Sequence, residues 1–157
     1  MVWVRVIGRG TFQNSGGFKS YARKLIGKGY AHFSVDLSEC DLMDSTFMGM
    51  LTGLALHLKE EGRGSLQVVG ANPRNAGLLS NLGLDQIFVV FPEGDSNAPQ
   101  CPANRLTDQQ AELTSSPAGA REMLEAHQNL VEADMTNAAR FRDVLELLEK
   151  EADEKHL

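Results

Sequence analysis

Apolar and polar positions along this chain switch between two periods, and the switches mark out strands and helices. Val2 to Ile7, VWVRVI, is β-branched and alternates around Arg5, which predicts a strand at or near a sheet edge. Gly8, Gly10 and the run Gln13 to Gly17 interrupt the pattern and predict a loop. Phe18, Tyr21, Ala22, Leu25 and Ile26 then share one side of a helix, with Lys19, Arg23, Lys24 and Lys28 on the other, and Gly27 and Gly29 end it. Ala31 to Leu37, AHFSVDL, predicts a strand with Phe33, Val35 and Leu37 on one face.

The chain is organised around the next stretch, VDLSECDLMDSTFMGMLTGLALHL from Val35 to Leu58, where a strand passes through an acidic loop into a long apolar helix. Asp44 and Ser45 stand where a helix start needs side-chain oxygens for its unpaired backbone amides, so Ser45 is expected at the helix N-terminus, accessible and beside the positive end of the dipole. A phosphate there would add about −1.5 to −2 units of charge next to Asp41 and Asp44. Phe47, Met50, Leu51, Leu54 and Leu58 form the core-facing stripe, and Met48, Thr52, Ala55 and Leu56 widen it. That width means either deeper burial against neighbouring helices or an exposed apolar patch for a partner.

Downstream, Gly62 and Gly64 stop the helix, and Ser65 to Val69 predicts a short buried strand. Gly70, Asn72 and Pro73 make a turn. A helix starting near Pro73 carries Ala76, Leu78, Leu79 and Leu82 before Gly83, and Ile87 to Phe91, IFVVF, predicts the last strand. This alternation predicts an α/β domain with a small, mostly parallel sheet and covering helices over residues 1–91. Residues 92–116, rich in Pro, Asn, Gln, Ser and Thr, read as a linker. Residues 117–157 read as a helical extension. Ser116 is its expected N-cap, with Pro117 at the first helical position. Its first helix carries Ala120, Leu124, His127 and Val131 on one side, and its second, after Asp134, carries Ala138, Phe141, Leu145, Leu148 and Ala152. Such stripes must pack on the domain, on each other or on another chain, a homodimer included.

Charge separates the two parts. Residues 1–91 hold 9 Lys+Arg and 7 Asp+Glu, and residues 92–157 hold 6 and 14, within a chain of net charge −6. With no basic stripe, nucleic acid is a poor partner. No run is long and apolar enough for a membrane span and no leader pattern is visible, so the expected location is the cytoplasm. Cys40 and Cys101 lack metal-ligand spacing and read as reduced thiols.

Enzyme chemistry is thin. GRGTFQNSGG fits neither nucleotide-binding fingerprint, and none of the four His, among them His32, stands at motif spacing from a nucleophile. Asp36, Asp41 and Asp44 offer a divalent-ion site of the receiver type, but a second acidic pair is missing at the first strand. No metal or cofactor is expected on this chain.

The segment VDLSECDLMDSTFMGMLTGL resembles the signature of STAS domains of the anti-sigma factor antagonist type: strand, Asp-Leu-Ser loop, Met-Asp-Ser-Thr, apolar helix. LLSNLGLDQIFVVF, from Leu78 to Phe91, resembles the family's leucine-rich helix, Gly-Leu break and last strand, so the likeness spans about residues 2–91. It implies a STAS-like, small mixed sheet of four to five strands. It also implies a regulatory protein without catalytic residues, in which Ser45 is phosphorylated by a serine kinase that doubles as anti-sigma factor and is restored by a serine phosphatase. Thr46 is a weaker acceptor candidate. Asp41, Asp44, Ser45, Thr46, Phe47, Met48 and Thr52 would form the partner surface. The unphosphorylated form would bind the kinase and release sigma factor, with ATP and magnesium held by the kinase. The rival is a STAS adaptor or scaffold, never phosphorylated, in a signalling or transport complex. Relative to the family pattern, one strand rather than a hairpin precedes the first helix, and Phe47 stands where many members have glycine.

Overall fold

The structure, a computed structural model, describes residues 1–62, 64–101 and 118–154. Four strands, β1 (Val2–Arg5), β3 (His32–Asp36), β5 (Ser65–Ala71) and β6 (Val89–Pro92), make one sheet in the order β1-β3-β5-β6 with every pairing parallel. Each parallel step needs a crossover, and helices α1 (Phe12–Gly27), α2 (Ser45–Glu60) and α3 (Pro73–Asn81) supply them. Val4, Phe33, Val35, Leu66 and Val68 join the core with the apolar stripes of α1 and α2. Trp3, Ser34, Gln67 and Val89 are in register on the opposite face, where the Gln67 amide donates to the Ser34 hydroxyl at 2.7 Å. β1 is an edge strand, as its alternation predicts.

Two short strands were not expected. β2 (Gly8–Gly10) and β4 (Cys40–Met43) pair in parallel beside the main sheet, converting parts of the predicted glycine and acidic loops into a small ladder. Gly10 is required there, because a Cβ would lie 2.8 Å from the Phe47 ring. The first helix also starts earlier than its stripe suggests, at Phe12 rather than Phe18. Thr11 and Asn14 form a capping box: the Thr11 hydroxyl accepts from the Gln13 amide at 3.2 Å, and the Asn14 side chain accepts from the Thr11 amide at 2.9 Å. Packing then overrides the low helix propensity of the buried Gly16 and Gly17.

The remaining helices are α4 (Ala120–Ala133), α5 (Asn137–Arg140) and α6 (Arg142–Glu154). The expected N-cap pair Ser116–Pro117 lies outside the described residues; α4 begins at Ala120, with Gly119 as its N-cap. Its most buried line is Ala120, Ala126, His127 and Leu130, so the helix is rotated from the predicted stripe, and Leu124 and Val131 lie at the margins. The second predicted helix is broken at Phe141. Ala138 is exposed, while Leu148 and Ala152 bury against the rest of the molecule.

The wide apolar surface of α2 is explained by burial. Met48, Thr52 and Ala55 are buried, Met48 and Ala55 within the hydrophobic core, and α4 packs on the Gly49–Gly53 face of the same helix. The approach is close because α2 has glycine at the crossing. A Cβ on Gly49 would collide with the Ala126 carbonyl oxygen, and one on Gly53 would collide with Asn129 Nδ2. Asn129 donates to the Gly49 carbonyl at 3.3 Å. Leu130 is fully buried in the seam, a burial worth about 1.5–3 kcal/mol. Asn137 locks the far end, donating to the Leu82 and Leu130 carbonyls at 3.0 and 2.8 Å. Among the described residues no helix is long and apolar enough to cross a membrane.

Candidate functional site

The acidic stretch predicted to carry the chemistry divides into parts with separate duties. Asp36, at the end of β3, is buried. One of its carboxylate oxygens accepts from Trp3 Nε1 at 3.1 Å and Arg5 Nε at 3.2 Å, and the other from the Ser38 amide at 2.9 Å. Burial pushes this carboxyl up, but the hydrogen bonds from Ser38, Trp3 and Arg5 outweigh that and hold it below its ordinary value. Asp36 thus ties edge strand β1 to the sheet.

Asp44 is the N-cap of α2, and it also serves α1. Its Oδ1 accepts from the Phe47 amide and its Oδ2 from the Phe12 amide, both at 2.8 Å, while its own amide donates to the Gly10 carbonyl at 2.9 Å. One carboxylate therefore sits between the positive ends of two helices. Asp41 is exposed on β4. The three aspartates do not converge on a cation: among the described residues no group of three or more His, Cys, Asp or Glu could hold a metal. Cys40 is a buried thiol in β4, and burial pushes its pKa up.

Ser45 is the first residue of α2, as predicted, but it does not stand in the open. It is half-buried, and its Oγ lies 2.8 Å from Nε2 of His127 on α4. The other imidazole nitrogen, Nδ1, is 2.7 Å from the Met123 carbonyl oxygen. A carbonyl can only accept, so Nδ1 carries the hydrogen, and in the neutral ring Nε2 accepts from the Ser45 hydroxyl. The Phe141 ring meets the imidazole edge-on at 5.1 Å.

The other predicted partner-surface residues are buried in this structure. Thr46 is buried, which sets it apart from Ser45 as an acceptor. Phe47 lies under Gly10 and meets Phe18 edge-on at 5.7 Å. Met48 and Thr52 are buried, and the Thr52 hydroxyl donates to the Met48 carbonyl at 2.8 Å. What remains accessible around Ser45 is Asp41 and the partly exposed Leu42 and Asp44.

Sequence spacing found no histidine beside a nucleophile, yet the fold puts His127 on Ser45 across 82 positions of chain. One signal was available: His127 is the one titratable residue on the otherwise apolar line Ala120, Leu124, Val131.

Fold and site together define a small α/β domain of parallel-sheet type, in which a serine opens a long helix at one end of the strands. Residues 2–91 match the family model described as "Mlab, STAS domain", and the chain belongs to the STAS-domain family. Two solved structures resemble it in fold, each at 22% sequence identity and a TM-score of 0.53. One is a crystal structure of TM1081 from Thermotoga maritima, a protein proposed to be an anti-sigma factor antagonist; the match covers 59% of this chain and 80% of that one. The other is an NMR structure of TM1081, with 58% and 73% covered. No curated protein matches the chain.

Proposed function

We propose that this protein is a phosphorylation-regulated anti-sigma factor antagonist, a binding module rather than an enzyme. In its unphosphorylated form it binds a serine kinase that is also the anti-sigma factor, and so releases sigma factor. Phosphate on Ser45 blocks that contact, and a serine phosphatase reverses it. The observation that carries this reading is Ser45 itself: the first residue of α2, partly accessible, next to the capping carboxylate of Asp44, in a chain of the STAS family. A dianionic group there would place like charge beside Asp44 and Asp41, and like-charge contacts at a close interface cost several kcal/mol. The kinase-facing surface is then the rim formed by Asp41, Leu42, Asp44 and Ser45, since Thr46, Phe47, Met48 and Thr52 are inside.

The second reading, a STAS adaptor that is never phosphorylated, draws support from the hydrogen bond that engages the Ser45 hydroxyl. Mass spectrometry after incubation with a co-encoded serine kinase and ATP separates the two. Phosphate on Ser45, together with weaker kinase binding by Ser45→Asp than by the native chain, is the expected result. An unmodified Ser45 and equal binding by both forms would leave the adaptor reading. Any self-association would use α6, which leaves Val144 and Leu147 exposed; a mass that stays monomeric at high concentration would exclude it.

A further inference from the structure

We propose that Ser45 and His127 form a nucleophile and proton-acceptor pair, giving Ser45 an intrinsic reactivity toward electrophilic phosphorus; among the described residues Ser65 also meets an imidazole, His32 Nδ1 at 3.0 Å, but no third group orients that ring. The biological use of that reactivity rests on the phosphoacceptor reading above, but the reactivity itself does not. The parts required of such a pair are a nucleophile bonded to a base and a third group orienting the base. Here Ser45 Oγ, His127 Nε2, His127 Nδ1 and the Met123 carbonyl form one hydrogen-bonded chain with links of 2.8 and 2.7 Å. The carbonyl fixes the tautomer that leaves the Nε2 lone pair facing the hydroxyl.

Packing alone explains His127 poorly. It is buried on the same helix as Ala120, Ala126 and Leu130, where an aliphatic side chain would fill the space without bringing two polar nitrogens out of water. Ser45 Oγ also sits at the first turn of a 16-residue helix, whose dipole favours negative charge developing on that oxygen. Thr46, in the same first turn, has a buried side chain and no imidazole beside it. In the step itself the Oγ–P bond forms as the bond from phosphorus to its leaving group breaks. The leaving group departs with its electron pair, and the hydroxyl proton passes to Nε2. The resulting imidazolium is still held by the Met123 carbonyl through Nδ1–H.

The charged groups around the ring are already engaged. From α2 the imidazole meets Ser45, with Asp44 behind it bound to the Phe12 and Phe47 amides. From the break between α5 and α6 it meets the Phe141 ring, with Arg142 next in sequence pairing with Glu146. On α4 itself Glu125 pairs with Lys19 of α1.

The test treats the full-length protein with diisopropyl fluorophosphate between about pH 5 and 9, the span in which histidine titrates. Peptide mass spectrometry follows Ser45 against the exposed Ser38, Ser80 and Ser96 of the same chain. General-base assistance predicts labelling of Ser45 about 100-fold faster than those serines, rising with pH in one step and then levelling. In His127→Gln the advantage and the step should both vanish, with the circular dichroism spectrum unchanged. Labelling of native Ser45 no faster than the reference serines, or a rate that climbs with pH without a plateau, overturns the pair, and the native profile decides this even where the variant fails to fold. Fast labelling with no kinase modification would instead remove the phosphoacceptor reading and leave the pair standing.

Discussion

Asp36 and Asp44 come from one short acidic stretch, eight positions apart, and the fold uses them in different ways. Asp36 faces inward and binds side chains of the edge strand, Trp3 and Arg5, so its work is done across the sheet. Asp44 binds only backbone, the first amide of α1 and the third of α2, so its work is done at helix ends. Neither is free to act on a ligand. The comparison teaches that both aspartates are scaffold, one across the sheet and one at the helix ends.

The difference can be tested by breaking each part in turn. Asp36→Ala strands a half-buried indole N–H, a guanidinium and the Ser38 amide, and should cost about 3 kcal/mol in urea unfolding at neutral pH. Asp44→Ala removes a cap from two helices at once and should cost about 1–2 kcal/mol, with faster hydrogen exchange at the Phe12 and Phe47 amides but not at the Trp3 indole. A loss from Asp44→Ala exceeding that from Asp36→Ala would reverse the assignment of roles.

Acid sharpens the contrast. The Asp36 carboxyl is held below its ordinary value in the folded state, so its contribution is complete above the unfolded pKa of about 3.9 and is lost as pH falls through the lower folded value. Asp134, held down by hydrogen bonds from Thr136, titrates in the same direction at the surface. Unfolding midpoints of the native chain should therefore fall below about pH 4, and Asp36→Asn should flatten that fall more than Asp134→Asn does. The smallest effect is expected at Ser45→Ala, about 1 kcal/mol or less, since one partly exposed hydrogen bond is lost while both caps remain.

How much of this was legible in the sequence follows from the range of each interaction. The strand and helix order, the edge position of β1 and the start of α2 at Ser45 rest on periodicity and on a cap within four residues, and they are readable. The β2–β4 ladder is not, because Gly8–Gly10 and Cys40–Met43 are too short and too polar to show a period. The early start of α1 depends on Thr11 and Asn14 outvoting Gly16 and Gly17, a local signal masked by composition. The rotation of α4 and the placing of His127 on Ser45 both depend on a helix far along the chain finding the Gly49–Gly53 face. No window centred on either partner contains that information.

The Gly49–Gly53 crossing also has a practical reading for anyone trimming this protein. The family match ends at residue 91, yet a chain cut there would lay bare the Gly49–Gly53 face of α2, the surface on which Ala126 and Asn129 sit. Such a fragment should clump rather than stay dispersed. The shortest version worth expressing carries α4 through Ala133, and adding Asn137 secures the hinge to Leu82.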